Sequence, residues 1–325
     1  MRNIGAINLT RSVKFDSRYK TQLMNPKKIL VIGSSNTDMV IKTNNFPVPG
    51  ETILGGRFLM NAGGKGANQA VASARLGGMV TFIGKIGDDI FGKQAVQQLE
   101  DEGINVNFVA VDPSNPSGVA MITVDRKAEN TIVVAPGSNG TLSPVDFNKA
   151  LSELQDAEFV LMQLEIPIPT VEYIAQIAAQ KQKKVILNPA PAAKLSDELL
   201  QNLYIITPNE IEAELLTQIK VTDEQSALKA AEALHKKGVE IVIITMGAAG
   251  AFLLNNGESE LIKASKVEAV DTTAAGDTFN GALVVALSEG KTIEESIAFA
   301  NKAAAISVTR IGAQSSVPYR NEIID

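Results

Sequence analysis

The chain has 325 residues, a hydrophobic content of 45% and a formal charge of −6 at pH 7. Such a length buries a large core, and the acidic balance gives no basic footprint for nucleic acid, so chemistry on small molecules is favoured. With no cysteine and a single histidine, thiol nucleophiles, disulfides, Cys-ligated zinc, Ser-His-Asp catalysis and multi-histidine metal sites are excluded.

Residues 1–25 carry Arg2, Arg11, Lys14, Arg18 and Lys20 against Asp16 and lack a sustained apolar run, which is not the make-up of a secretory signal. A flexible extension, or translation from a start upstream of Met24, is the expectation; an organelle transit peptide is the alternative. One domain is expected over residues 26–325. No apolar run approaches the roughly 20 residues that span a bilayer, so a cytoplasmic protein without a membrane partner is expected. Lys28-Ile29-Leu30-Val31-Ile32-Gly33 reads as a buried strand, with Ser34 to Asp38 at its carboxyl end. Ligands of open α/β sheets sit beyond that end, which makes Asn36 and Asp38 candidates for gripping hydroxyl groups; Asn and Asp also form turns for purely local reasons.

Short strands are expected over Met39–Thr43, Glu51–Leu54 and Arg57–Met60, and again over Gly118–Val124 and Asn130–Ala135. They suggest a small sheet, at about 39–61 and 117–135, set apart from the main body. Gly63-Gly64-Lys65-Gly66 opens an Ala-rich helix from Ala67 to Leu76. It is not a Walker A loop, because Gly66 and Ala67 stand where Ser or Thr is needed after Gly-Lys; the glycines suit close approach to a ligand or helix packing through small residues. Thereafter strands over Val80–Ile86, Phe159–Leu164, Lys184–Leu187, Tyr204–Ile206 and Glu240–Thr245 alternate with helices. The helices fit Ile90–Glu102, Ser143–Leu154, Thr170–Gln180, Glu210–Leu216 and Glu224–Lys237. Such alternation implies an α/β fold, a doubly wound and mostly parallel sheet flanked by helices. Ser143-Pro144-Val145-Asp146 gives an N-cap with Pro in the first turn, and Thr222-Asp223-Glu224-Gln225 has capping-box spacing. His235 reads as a structural residue at the solvated end of a helix. Asn8-Leu9-Thr10 and Asn139-Gly140-Thr141 match glycosylation sequons by chance. The absence of G-x-G-x-x-G speaks against a dinucleotide-binding oxidoreductase.

The stretch with most chemistry in it is Asp271-Thr272-Thr273-Ala274-Ala275-Gly276-Asp277-Thr278-Phe279-Asn280-Gly281-Ala282, after the apolar run Val267 to Val270. Small residues let the backbone pass close to a ligand, and the unpaired N–H groups of a helix start welcome an anion. Asp277 beside them suits a base that strips a proton from a hydroxyl whose oxygen then attacks phosphorus; alone, it reads equally as an N-cap. Glu165, Asn209 and Glu212 follow strand ends, where oxygen ligands can order water around Mg²⁺ and nucleotide phosphates. Asn209-x-x-Glu212 is also the pattern of an N-cap with a surface acid.

The segment Asp271–Ala282 and Gly63-Gly64-Lys65-Gly66-Ala67-Asn68-Gln69-Ala70 together resemble the paired motifs of the ribokinase (PfkB) family of sugar kinases. Asn188-Pro189-Ala190-Pro191-Ala192, Thr207-Pro208-Asn209-Glu210-Ile211-Glu212 and Gly312-Ala313-Gln314-Ser315-Ser316-Val317-Pro318 follow in the family's order, and the likeness runs from about Lys27 to Ile324. The resemblance implies ATP-dependent phosphorylation of D-ribose at its 5-hydroxyl. Another acceptor (deoxyribose, fructose or a nucleoside), or a non-catalytic sugar sensor, is the alternative. It makes Asp277 the base and the N–H groups of Ala274, Ala275 and Gly276 the anion hole. Ribose would be held by Asn36, Asp38, Gly64, Lys65, Asn68 and Glu165. ATP would lie near Asn209, Thr245, Gly247, Gly250, Gly276 and Asn301, with Mg²⁺ reached through water by Asn209 and Glu212. A monovalent cation, K⁺, would sit among Asp271, Thr273, Ser307, Arg310, Gly312 and Ser316, mostly on backbone carbonyls. Ala248-Ala249 is less polar than the family's usual pair. The small sheet would form a lid over the sugar, through which a homodimer would assemble.

Overall fold

The computed structural model describes residues 27–127 and 129–323; the extension expected over 1–25 lies outside them. The chain begins with β1 (Lys28–Ile32), β2 (Asn36–Lys42), β3 (Arg57–Gly63), α1 (Lys65–Arg75), β4 (Met79–Ile83), β5 (Lys85–Gly87), α2 (Ile90–Asp101) and β6 (Ala110–Asp112). It continues through β7 (Gly118–Val124), β8 (Asn130–Ala135), α3 (Pro144–Asn148), α4 (Leu151–Asp156), β9 (Ala157–Met162), α5 (Ile168–Gln180), β10 (Lys184–Leu187) and α6 (Asp197–Gln201). The last third holds β11 (Ile205–Ile206), α7 (Glu210–Thr217), α8 (Glu224–Lys236), β12 (Ile241–Thr245), β13 (Gly250–Asn255), β14 (Glu258–Lys263), α9 (Ala275–Ser288) and α10 (Ile293–Ser307).

The main sheet has eight strands in the order β14-β13-β12-β11-β10-β9-β1-β4, parallel except for β13 and β14. Both faces are buried, as the continuous apolar runs of its parallel strands require. Ile29 and Val31 of β1 and Phe159 and Leu161 of β9 point into one apolar cluster, shared with α1, α9 and α10. Leu30, Ile32, Val160 and Met162 point into the other, shared with α5 and α8, because side chains alternate along a strand. A second sheet, ordered β3-β2-β7-β8, stands outside this sandwich, and β8 is exposed along its whole length. Among the described residues no helix is long and apolar enough to cross a membrane.

Glycine sets the closest approaches. A Cβ on Gly281 of α9 would lie 2.5 Å from the Ala72 Cβ and 2.9 Å from the Gln69 carbonyl oxygen, so α1 and α9 touch through missing side chains. One on Gly66 would lie 2.6 Å from the Ser34 nitrogen, which presses the start of α1 onto the end of β1. Packing through small residues is thus the role of Gly66, whereas Gly64 takes a φ of 89° that non-glycine residues rarely adopt.

Several local expectations need correction. Asn36 to Asp38 is not a turn but the start of β2, paired with β3 on one side and β7 on the other. Glu51–Leu54 is not a strand: Gly50, Gly55 and Gly56, with φ of 85°, 99° and 124°, bracket an unpaired loop. The strand expected over 80–86 divides at Gly84, where a Cβ would meet the Gly33 carbonyl oxygen at 2.9 Å. The helix expected over 143–154 divides into α3 and α4, joined by a turn in which the Ala150 N–H donates to the Phe147 carbonyl. The capping box of α8 joins Asp223 to Ser226, one residue beyond the pattern read from the sequence. Val267 and Val270 lie exposed in a loop. His235 closes the end of α8, its Nδ1 lying 2.8 Å from the Val239 carbonyl oxygen, in keeping with a structural role.

Candidate active site

The carboxyl ends of β1, β9, β10 and β11 converge with the amino ends of α1 and α9, and the candidate residues gather there. Ala274 caps α9 in the left-handed conformation, φ 59° and ψ 15°, and the Thr278 N–H makes the first helical bond to its carbonyl. The N–H groups of Gly276 and Asp277 therefore have no carbonyl one turn earlier within α9. The Ala275 N–H donates to the Thr272 carbonyl at 3.2 Å, so one of the three expected anion-hole donors is engaged by its own turn.

Asp277 is buried in the first turn of α9 with both carboxylate oxygens held. Asn68 Nδ2 donates to Oδ2 at 2.9 Å and Gln69 Nε2 donates to Oδ1 at 2.9 Å. Asn68 Oδ1 is buried and makes no hydrogen bond, an acceptor left for a ligand hydroxyl. Glu165 Oε2 accepts from Ser34 Oγ at 2.6 Å and from the Lys65 N–H at 3.0 Å, which fixes the first residue of α1 against the end of β9.

Acidic groups surround one cation. Burial works against the charge of Lys65, but the carboxylates of Asp277, Glu165, Glu212 and Asp38 outweigh it and raise its pKa. Asp38 is pushed up to about 7, first by burial and then by Glu165 and Asp277, against the pull of Lys65. Glu212 is raised as well, chiefly by burial. A cavity of about 240 Å³ opens beside Asp38, lined also by Asn61, Asp271, Thr273, Gly312 and Ile311. Its lining mixes apolar side chains, among them Val40, Ile122 and Val124, with the polar Asp38, Asn61 and Asp271, the make-up of a small-ligand site.

Asn139, dismissed in the sequence as a chance sequon, is buried and accepts from the Ser35 N–H at 3.0 Å while its Nδ2 donates to Asn36 Oδ1 at 2.8 Å. With its oxygen engaged, Asn36 has its Nδ2 donors left to offer. Gln69, Asn188 and Gln163 were likewise not assigned, although they form one buried chain: Gln163 Nε2 donates to Gln69 Oε1, and Gln69 Nε2 donates also to Asn188 Oδ1 at 3.0 Å. Gln69 and Asn188 lie in motifs quoted from the sequence but without a role read for them, whereas Gln163, an uncharged amide inside an apolar stretch, is revealed only by its burial.

The expected nucleotide residues have structural duties of their own. Asn209 and Glu212 form a reciprocal capping box on α7, Oδ1 accepting at 2.8 Å and Oε2 at 2.9 Å. Thr245 ends β12 and bridges to Asn209, before a 3-10 turn over Gly247–Ala249 and Gly250 at a φ of 113°. Asn301 Nδ2 donates to the Ile262 carbonyl at 2.8 Å, tying α10 to β14. Around the expected cation position, Asp271 accepts from the N–H groups of Thr273 and Gly312, both at 2.9 Å, and so staples two loops together. Those bonds outweigh burial and lower its pKa. The Arg310 guanidinium pairs with Glu322, and the hydroxyls of Ser307 and Ser316 donate to Ala304 and Ala313 carbonyls. The donor chemistry around Asn209 and Glu212, hard oxygens near a helix start, fits Mg²⁺ carried with phosphates.

Comparison with known proteins agrees with this geometry. A family model described as pfkB family carbohydrate kinase matches residues 26–320. The chain is 50% identical over 299 residues to a ribokinase of Haemophilus influenzae, covering 92% of this chain and 98% of that one. Among solved structures, an Arabidopsis thaliana ribokinase complexed with ribose and ATP superposes with a TM-score of 0.85 at 33% identity, covering 92% and 98% of the two chains. A Thermotoga maritima ribokinase gives 0.83 at 41% identity over 92% and 98%. The family model over residues 26–320 and a relative 50% identical across 92% of the chain place it, with its buried acid at a helix start and its paired glycine-rich motifs, in the pfkB family of carbohydrate kinases.

Proposed function

We propose that this protein transfers the γ-phosphoryl group of ATP to the 5-hydroxyl of D-ribose, giving D-ribose 5-phosphate. The observation that carries the reading is Asp277, buried at the start of α9 with both oxygens held and an anion-welcoming turn beside it. Asp277 takes the proton of the 5-hydroxyl, and the N–H groups of Ala274, Ala275 and Gly276 receive charge developing on the transferred group, Ala275 giving up its bond to Thr272. Asn36 donates to sugar hydroxyls, Asp38 and the free Asn68 oxygen accept from them, and Gly64, Lys65 and Glu165 close the pocket. Asn209 and Glu212 would hold, through water, the Mg²⁺ carried with ATP, which would neutralise phosphate charge. ATP lies along Thr245, Gly247, Gly250 and Asn301. Residues 26–325 act as one kinase domain whose second sheet is a discontinuous lid, which keeps water from the phosphoryl group.

Asp277→Asn is expected to lower ribose-dependent ADP production by about two orders of magnitude or more, the usual scale for loss of a general base. Near-normal turnover would refute the assignment, and intact ribose binding with no turnover in the unaltered protein would instead mark a sugar sensor.

The acceptor role of Asp38 gives ribose binding a pH dependence. In the free protein Asp38 takes up a proton as pH falls through about 7. A protonated carboxyl accepts hydroxyl donors poorly, so proton and sugar compete. Calorimetry is expected to show ribose affinity falling about tenfold per unit well below pH 7, and a flat profile in Asp38→Asn.

The loops joined by Asp271 are proposed to hold K⁺. Replacing Na⁺ with K⁺ is expected to raise turnover, and Asp271→Ala to abolish that rise; equal rates in both salts would remove the site.

Phe58, Met60, Met121 and Val133 are exposed on the face of the lid turned away from Asp38, more apolar surface than a lone small sheet usually shows to water. We assign it to a homodimer, whose mass in sedimentation should halve on Val133→Asp; an unchanged mass would place self-association elsewhere or nowhere.

A further inference from the structure

We infer that Gln69, oriented by Gln163 and braced by Asn188, is the positioning residue that sets the rotation of the Asp277 carboxylate; the inference rests on the reading of Asp277 as the base. Asn68 and Gln69 are neighbours on α1, yet they divide the work. Asn68 holds Oδ2 and keeps a free oxygen of its own, so it stands between base and ligand. Gln69 is fully buried and holds Oδ1 from behind.

Its carboxamide can sit only one way round. Nε2 faces two oxygens, Asp277 Oδ1 at 2.9 Å and Asn188 Oδ1 at 3.0 Å, while Oε1 faces the Nε2 of Gln163. Turning the amide end for end would set an oxygen against two oxygens and a nitrogen against a nitrogen. The acceptor-only Asp277 carboxylate sets this polarity, and Gln163, itself fully buried and with no partner for its own Oε1, supports it by donating to Gln69 Oε1. Asn188 anchors it to the sheet, its Nδ2 donating to the Thr207 carbonyl at 3.3 Å, and Thr207 Oγ1 returns to α9 by donating to Asn280 Oδ1 at 2.7 Å. The carboxylate is thus fixed at both oxygens and referred to the strand ends.

Packing alone does not account for this arrangement, because a leucine or methionine would fill the space without needing buried amides to be satisfied. A base has to meet its proton in one orientation, and a misplacement of about 1 Å can cost about 10²-fold in rate.

The test is a double-mutant cycle on the full-length enzyme. Gln69→Leu is expected to lower kcat by about 10- to 100-fold while calorimetric affinities for ribose and ATP stay within about twofold. In an Asp277→Asn background the same change should alter residual turnover by less than about twofold, since the group it orients is gone. Gln163→Met, which keeps volume and removes the donor that meets Gln69 Oε1, should lower kcat in the same direction by less, and it decides the matter if Gln69→Leu does not fold. An unchanged kcat in the folded variant, an equal loss in the Asp277→Asn background, or a loss of ribose affinity matching the loss of rate would overturn the inference. Normal turnover in Asp277→Asn alone would overturn the general-base reading itself, which separates the two failures.

Discussion

The contact on which the site depends is one made by absent side chains. Gly281 against Ala72, and Gly66 against Ser34, bring the starts of α1 and α9 to within the reach of side-chain amides. Only at that spacing can Asn68 and Gln69, on one helix, hold the acid that opens the other. A methyl group at Gly281 would push the helices apart, one at Gly66 would lift α1 from the end of β1, and either would stretch hydrogen bonds that weaken steeply with distance. The glycines of the two motifs thus seat α1 against its neighbours at least as much as they offer a surface for a ligand.

That spacing also concentrates charge. Asp38, Glu165, Glu212 and Asp277 all act on Lys65, and the shared field shows in Lys65 and Asp38 both holding protons more tightly than they would in water. Without a ligand, one acid of the group is left with more negative charge near it than a single lysine offsets. An incoming sugar brings hydroxyl donors and an incoming nucleotide brings its metal, so each supplies what this cluster lacks.

Much of this was legible in the sequence, for identifiable reasons. Buried parallel strands announce themselves as apolar runs, and the long helices as amphipathic stretches, so β1, β10, α2, α5 and α8 fall within a few residues of expectation. Asp277 and Glu165 stand out as acids at a helix start and a strand end, whereas Asn68 is reached only through the resemblance of its motif. What was missed depends on long-range contact. Asn36 looks like a turn residue until β3 and β7 pair with it. Asn139 and Gln163 look unremarkable until burial shows Asn139 bonded to Ser35 and Asn36 and Gln163 donating to Gln69. One omission had a local signal: Asn256-Gly257, with φ of 51° and 81°, is a hairpin turn between β13 and β14, and that dipeptide is a strong short-range sign of a hairpin.

The placement of Asn36 and Asp38 on β2 has a further consequence. These ligand-facing residues belong to the same four-stranded sheet as the exposed apolar side chains, and they share ladder hydrogen bonds with β3 and β7. On the proposed site and the proposed dimer, anything that covers the outer apolar surface would stiffen the strand that holds the sugar, and a bound sugar would stiffen the strand that offers the surface. Self-association and sugar affinity would then be linked functions, each altering the other by the same factor, with no moving part beyond the sheet itself.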